Sequence, residues 1–328
     1  MKTIRWGIIG VGDVTEVKSG PAFYKSTNSQ LVAVMRRNGD KAKDFAQRHG
    51  VARWYDDGEA LINDSDVDVV YIATPQYAHK DYALQAAAAG KHVYSEKPMA
   101  LNYNECQQMI EACEQAGVSL WVGYYRRSLP RFLKIKELIE GGAIGDVVGV
   151  TTRIFRPTSV QPNTPRDQLQ WHFIPEYSGG GQVLDVGCHQ IDLLNFYFGN
   201  IVEVQGFAAN QSGLYPVVDS ASAAFRFESG LMGSATWCFT AGVEVDETVI
   251  VGTKGQLSFA VFVPSPFTLT TAAGTQTIDL GYPAHVHQPM VESIIAELNG
   301  EGRCPSTGTS AAHASWVFDQ ILAGGKSA

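Results

Sequence analysis

The apolar run at residues 4–9 leads straight into Gly10-Val11-Gly12-Asp13-Val14-Thr15. A strand, a G-x-G turn and a helix start in that order bring backbone N–H groups and the positive end of a helix to one point, where a pyrophosphate binds. A ligand-free tight turn uses the same glycines; the strand before the loop and the βα pattern after it favour the binding site. Thr15 stands where the usual fingerprint has its third glycine, so looser helix–strand packing is expected there. About 20 residues beyond the loop, where an NAD site carries Asp or Glu for the ribose hydroxyls, the chain has Arg36-Arg37-Asn38 and no carboxylate before Asp40. A guanidinium pairs with a 2′-phosphate and stacks on adenine, so Arg36 and Arg37 read as NADP rather than NAD. Two solvated arginines, with Asp40 on the ribose of NAD, are the other reading.

Two further groups carry proton and charge chemistry. Ser95-Glu96-Lys97-Pro98 closes a short β-branched run. Ligands of doubly wound sheets sit outside the carboxyl ends of the strands, which places Lys97 toward a nicotinamide and its substrate; a solvated strand-end lysine is the plainer reading. Pro98 biases its predecessor to extended geometry and so sets the direction in which Lys97 leaves the strand. Downstream, Gly179-Gly180-Gly181 precedes Leu184-Asp185-Val186-Gly187-Cys188-His189-Gln190-Ile191-Asp192. On a helix, Asp185, His189 and Asp192 fall at i, i+4 and i+7, one polar stripe on an apolar cylinder. Buried charges without partners are costly, so the stripe needs either a cavity or a network in which a carboxylate satisfies the imidazole. No metal is required. The close histidine pair His285-x-His287, between Pro283 and Pro289, has a spacing that suits a strand-borne metal site, but a loop is the favoured reading, and a substrate contact by His285 is the other alternative.

The elements that must position these residues follow from periodicity. Up to residue 123, short β-branched runs (4–9, 31–35, 69–72, 92–95, 120–123) alternate with amphipathic stretches (39–49, 57–63, 79–89, 103–116), the grammar of a parallel sheet with crossover helices. Cys106, Met109, Ile110 and Cys113 make one buried stripe, and Gly90 and Gly117 stand just past their helices. After residue 124 the pattern changes. Helices are expected at 130–140 and 184–198, then strands at 202–210, 221–227, 231–239, 248–251 and 256–263, with a hairpin turn at Glu228-Ser229-Gly230. Consecutive strands joined by turns imply an antiparallel sheet, and helices at 287–299 and 309–322 close the chain. The expected fold is therefore α/β, a dinucleotide-binding domain at 1–123 followed by a substrate-binding and oligomerisation domain at 124–328.

Composition narrows the partners. At 328 residues, and about 100–200 residues per domain, two domains are expected. Twenty-five basic against 33 acidic side chains give a net charge of −8, which disfavours nucleic acid. No apolar stretch is long enough for a signal sequence or a membrane span. Five scattered cysteines with no C-x-x-C pair argue against a disulfide frame or a zinc cluster, and for a reducing, cytoplasmic location.

The segment 8–12, Ile72-Ala73-Thr74-Pro75 with His79, Glu96-Lys97-Pro98, and Gly179-Gly180-Gly181 followed by Asp185-x-x-x-His189 stand in an order and at distances that resemble the glucose–fructose oxidoreductase/inositol dehydrogenase/rhizopine catabolism (Gfo/Idh/MocA) family of NAD(P)-dependent oxidoreductases. The resemblance covers essentially the full length. It implies an N-terminal Rossmann domain and a C-terminal α+β domain whose large, mainly antiparallel open sheet joins copies into a homo-dimer or homo-tetramer. It implies hydride transfer between a nicotinamide and a hydroxyl-bearing carbon of a sugar, cyclitol or related polyol. Matched residue by residue, Lys97 corresponds to the lysine near the reacting hydroxyl, His189 to the general acid/base and Asp185 to the aspartate beside them. Asp192 matches a substrate-side carboxylate, with Tyr124, Arg127, Trp171 and His172 completing the substrate set. The cofactor set is Gly10, Gly12, Asp13, Val14, Arg36, Arg37, Ala73, Thr74, Pro75, His79, Glu96, Lys97 and Arg126. On the same fold, an NAD-recycling glycoside hydrolase or epimerase and a non-enzymatic NAD(P)-binding sensor are the alternatives.

Overall fold

The structure is a computed structural model that describes residues 1–324. Its contacts divide the chain into two units, Met1–Leu129 with Pro283–Ala312, and Pro130–Tyr282 with the segment from His313 onward.

In the first unit, strands β1 (Ile4–Ile9), β2 (Ser29–Met35), β3 (Arg53–Tyr55), β4 (Val69–Ile72), β5 (His92–Ser95) and β6 (Leu120–Val122) form one sheet in the order β3-β2-β1-β4-β5-β6. All pairings are parallel, and the order reverses between β1 and β4, where such sheets bind ligands. The central strand β4 is buried at every residue, as a continuous β-branched run between two helical layers must be. Local chemistry sets the helix ends. Asn38 and Asn102 cap Gly39–His49 and Tyr103–Ala116 by accepting from Lys41 N and Glu105 N, and Gly50 and Gly117 close them at φ 67°. The expected stripe Cys106, Met109, Ile110 and Cys113 is buried. The helix after the glycine loop differs from expectation. It is broken into Asp13–Val17 and Ala22–Lys25, because Gly20-Pro21 interrupts it and proline cannot continue a helix from the preceding turn.

A second difference concerns the boundary. The single division near Gly123 does not match the packing. The chain divides at Leu129, and the helix Gln288–Leu298 returns to the first unit, where Met290, Val291, Ile294 and Ile295 join the core of Trp6, Phe23, Tyr71, Tyr94 and Trp121. Ser306 seals this return, its carbonyl accepting from Val122 N at 3.1 Å and its hydroxyl donating to Val122 O at 2.8 Å.

In the second unit, β7 (Val147–Phe155), β8 (Ile201–Ala209), β9 (Ser220–Phe227), β10 (Met232–Cys238), β11 (Val245–Gly252), β12 (Gly255–Phe259), β13 (Phe267–Thr271) and β14 (Gly274–Ile278) form an eight-stranded sheet ordered β14-β13-β12-β11-β7-β10-β9-β8. Neighbours are antiparallel except β7 and β10. The β9–β10 hairpin turns at Gly230, φ 86°, as expected. The helix Gly181–Phe198 packs on one face of this sheet. A Cβ on its Gly187 would stand 2.6 Å from Phe318 Cζ and 3.0 Å from Trp237 Nε1, so glycine permits the close approach. The four residues 325–328 lie outside the described residues.

Candidate active site

Gly10 takes φ 97°, and a Cβ there would stand 2.8 Å from Ala73 O. Only glycine lets the β1 loop meet the Ala73-Thr74-Pro75 loop after β4 so closely. Gly12 is extended; its amide donates to Thr15 Oγ1 at 2.8 Å, and that hydroxyl donates back to Gly12 O at 2.8 Å. Thr15 is 1% exposed, so the expected loose packing is replaced by a buried hydroxyl that locks the turn. Gly12 O also accepts from Thr15 N and Glu16 N. The first-turn amides of Asp13 and Val14 have no intrahelical acceptor and are what the loop offers an anion. With five residues the helix adds little dipole, so the fit to a pyrophosphate rests on these amides. Glu16 anchors the short helix to its neighbour: its carboxylate takes Arg48 Nη2 at 2.7 Å and His49 Nε2 at 2.9 Å. The Arg48 hydrogen bond lowers the Glu16 pKa to about 2.

At the end of β2, Arg36 is half-buried and Arg37 exposed, and neither is in an ion pair among the described residues. Asn38 is occupied as the helix cap, and Asp40 lies in the first helical turn.

The end of β5 is built around Glu96. The carboxylate accepts from Tyr71 OH at 2.5 Å and from Lys97 N at 3.1 Å, and His287 Nε2 lies 3.4 Å away. Tyr94 OH in turn bonds His287 Nδ1 at 2.9 Å. Burial raises both tyrosines well above their ordinary range and lowers His287. Glu96 thus serves as an internal hub holding the main chain of Lys97. His287 was not singled out by the sequence: its pairing with His285 suggested a loop, whereas His285 turns to Val17 O and Lys25 Nζ, both at 2.8 Å. Among the described residues, no group of three His, Cys, Asp or Glu is placed to hold a metal.

Lys97 itself is half-buried, and its bond to Pro98 is cis. His79, expected at the cofactor, is 1% exposed, with Nδ1 3.0 Å from Pro98 O and Nε2 2.9 Å from Thr74 O. It fastens the β4 loop to the β5 loop, and burial lowers its pKa. Tyr124 is fully buried. Arg126, 6% exposed, lies over the Tyr125 ring at 4.9 Å, and that ring lies 4.5 Å from His287. Arg127, expected at the substrate, instead donates to Pro305 O at 2.9 Å and Ser310 O at 3.5 Å and so ties down the returning segment.

In the second unit, Gly181 opens the long helix at φ 60°, where a Cβ would stand 2.4 Å from Val217 Cγ2. The helix displays Asp185 half-buried, with His189 and Asp192 buried at 4% and 1% exposure. Gln190 pins the same helix to the sheet. Its amide nitrogen donates to Thr152 Oγ1, and its oxygen accepts from Trp237 Nε1 at 2.7 Å. The His189 ring meets the Phe262 ring edge-on at 5.6 Å. Trp171 is exposed and edge-on to His172 at 5.6 Å, and the His172 ring lies 4.2 Å from that of Phe173.

Family models match part of each unit. Residues 4–124 match the oxidoreductase family with NAD-binding Rossmann fold, and residues 132–258 match the GFO/IDH/MocA C-terminal domain. An oxidoreductase of Formosa agariphila is 42% identical over 96% of this chain and 97% of its own. Myo-inositol 2-dehydrogenase of Thermotoga maritima is 30% identical over 77% of this chain and 74% of its own. A levoglucosan dehydrogenase in complex with NADH and levoglucosan superposes with a TM-score of 0.86 at 24% identity, covering 98% of this chain and 97% of its own. The α/β fold, the ordered motifs and the full-length match together make this chain a member of the Gfo/Idh/MocA family and an NAD(P)-dependent oxidoreductase acting on CH–OH groups.

Proposed function

We propose that the protein moves a hydride between NADP(H) and a secondary alcohol or its ketone on a sugar, cyclitol or related polyol. The observation that carries this reading is the acid/base stripe on Gly181–Phe198, a buried imidazole at His189 with Asp185 one turn before it and Asp192 one turn after it. The names of the inositol and levoglucosan dehydrogenases support the substrate class. Amides of Asp13 and Val14, the Ala73–Pro75 loop, Arg36 and Arg37 would hold the dinucleotide; the nicotinamide, when bound, supplies the hydride acceptor or donor.

The residues of the chain handle the proton. In oxidation, His189 takes it from the reacting hydroxyl, as an imidazole does best around neutrality. The role the family resemblance gives Lys97 is to stabilise, through its ammonium, the negative charge that a reacting oxygen gains. Asp185 orients the imidazole, and Asp192 holds a neighbouring substrate hydroxyl. The unpaired arginines after β2 support NADP over NAD. The open face of the eight-stranded sheet supports a homo-oligomer, and five free thiols suit a reducing, cytoplasmic compartment. The test is a steady-state screen of both nicotinamides, oxidised and reduced, against polyols, aldoses and keto-sugars. The expected result is NADP preferred by tenfold or more, with the preference lost in Arg36→Ala and Arg37→Ala. A preference for NAD above tenfold would remove the role given to these arginines, and absence of nicotinamide turnover across the panel would refute the reading as a whole.

A further inference from the structure

In the second unit, a loop tied down at both amides and carbonyls holds one aromatic ring in contact with both the proposed base and an arginine that the mechanism has not used. The loop is residues 260–263, following β12. Asp246 accepts from three of its four amides, Val261 N at 2.9 Å, Phe262 N at 2.7 Å and Val263 N at 3.0 Å. Arg131, 2% exposed, donates to two of its carbonyls, Ala260 O at 3.1 Å and Val263 O at 3.3 Å. A carboxylate on three donors and a buried guanidinium on two acceptors leave the loop little freedom. What this cage fixes is Phe262. One side of its ring meets His189 edge-on at 5.6 Å, and the Arg156 guanidinium carbon stands 4.7 Å from its centroid.

Arg156 leaves the end of β7 with its main chain held on both sides, its N–H donating to Cys238 O at 2.8 Å and its carbonyl accepting from Ala241 N at 3.1 Å. Its side chain is half-buried and has no ion-pair partner among the described residues. A partly desolvated guanidinium on an aromatic face is stabilised by the ring, yet its five donors suit a planar oxyanion better than any neutral group. The two contacts to Phe262 place the guanidinium within about 10 Å of the His189 ring, a span that a five- or six-carbon skeleton bridges.

We propose that Arg156 determines substrate specificity by pairing with a carboxylate on the substrate, so that the protein acts on a sugar acid in preference to the neutral sugar. The inference rests on the oxidoreductase reading above. One end of the substrate presents its reacting hydroxyl to His189, and the other end gives its carboxylate to Arg156 in the two-pronged geometry that lysine cannot match. Phe262 sets the distance between the two and excludes water from the flat face of the pair.

The test uses the full chain and paired probes: D-glucuronate against D-glucose, and D-galacturonate against D-galactose. Steady-state rates are measured with the preferred nicotinamide, and D-glucuronate is titrated calorimetrically into NADP⁺-loaded protein. The expected result is a kcat/KM at least tenfold higher for each acid than for its neutral partner. In Arg156→Met that ratio falls to about one, the loss lying in KM, and Arg156→Lys restores part of it. Binding of D-glucuronate weakens with added salt, as a charge pair must. The proposal is overturned if the neutral sugars are preferred, if D-glucuronate does not bind, or if Arg156→Met leaves the ratio unchanged and the guanidinium only packs on Phe262. Failure to bind NADPH or NADH is a different outcome, and it refutes the oxidoreductase reading itself.

Discussion

Lys97 and His189 are assigned different parts of one proton transfer, and their replacement separates them from the residues that merely support them. Lys97→Ala and His189→Ala are each expected to lower kcat by a factor of about 10²–10⁴, the usual contribution of a positioned acid, base or alkoxide partner. Affinity for reduced nicotinamide, followed by its fluorescence, is expected to change little in His189→Ala. Turnover unchanged on the best substrate in both variants would remove the mechanism. At this scale the sequence disclosed residue types more readily than their employment. Glu96, His79 and Arg127 stand in the right motifs, yet each is buried and spends its polar atoms on the protein. Their partners explain why this was hidden: Arg127 bonds a carbonyl 178 residues away, and the His287 imidazole beside Glu96 arrives on a helix from the far end of the chain. Phe262 and Arg156 had no motif at all, since their meaning depends on a loop held by Asp246 and Arg131.

Elements with strong local signals were legible, and those lacking them were not. Helices bounded by Asn38 and Gly50, or by Asn102 and Gly117, have their stops written in side-chain chemistry. β13 and β14 do not: the run Phe267–Thr271 and Gly274–Ile278 is rich in threonine and poor in apolar alternation, and β14 is largely exposed. β7 mixes Gly149 and two threonines into its run, and it pairs in parallel with β10, a long-range contact no turn announces. The short helix after the glycine loop depends instead on Glu16, and this dependence has a pH signature. Its carboxylate is held to a pKa of about 2 by Arg48, below its ordinary 4.5, so the ion pair stabilises the fold above pH 4.5 and fades as pH falls toward 2. Exposed pairs contribute about 0–1 kcal/mol. Glu16→Gln is therefore expected to lower the melting temperature by about 1–3 °C at pH 7, a gap that narrows steadily between pH 4.5 and pH 3 in thermal scans. A gap independent of pH would show that the charge is not what secures the helix.

For the whole molecule, the homo-oligomer proposed above would use the outer face of the eight-stranded sheet. One row across it reads Gln205, Ala224, Ser234, Thr151, Val249, Ser258, Thr268 and Thr277, small or uncharged side chains on eight successive strands. A neighbouring row starts at Phe207, which is 77% exposed, and Met232 is 68% exposed. Its charged residues Arg153, Glu247, Glu203 and Arg226 pair with one another, so that the face is broad and locally neutral, the kind of surface that a second copy covers. Phe207→Asp is expected to shift the protein toward monomer in light scattering at micromolar concentration, with cofactor affinity retained. A wild-type monomer would retire the proposal. The net charge of −8 excludes little about small ligands, because the cations to which the proposals assign roles are local, Arg36, Arg37, Lys97 and Arg156.

The return of Pro283–Ala312 to the first unit means that the cofactor-binding half is not a segment that can be lifted out of the gene in one piece. A graft carrying only residues 1–129 would leave Trp6 and Tyr94 without Met290, Val291 and Ile294, and Glu96 without His287. The same interlocking governs cleavage. A single nick at 129–130 is expected to give two chains that separate in denaturant yet stay together in native buffer, because the downstream piece still buries part of itself in the upstream one.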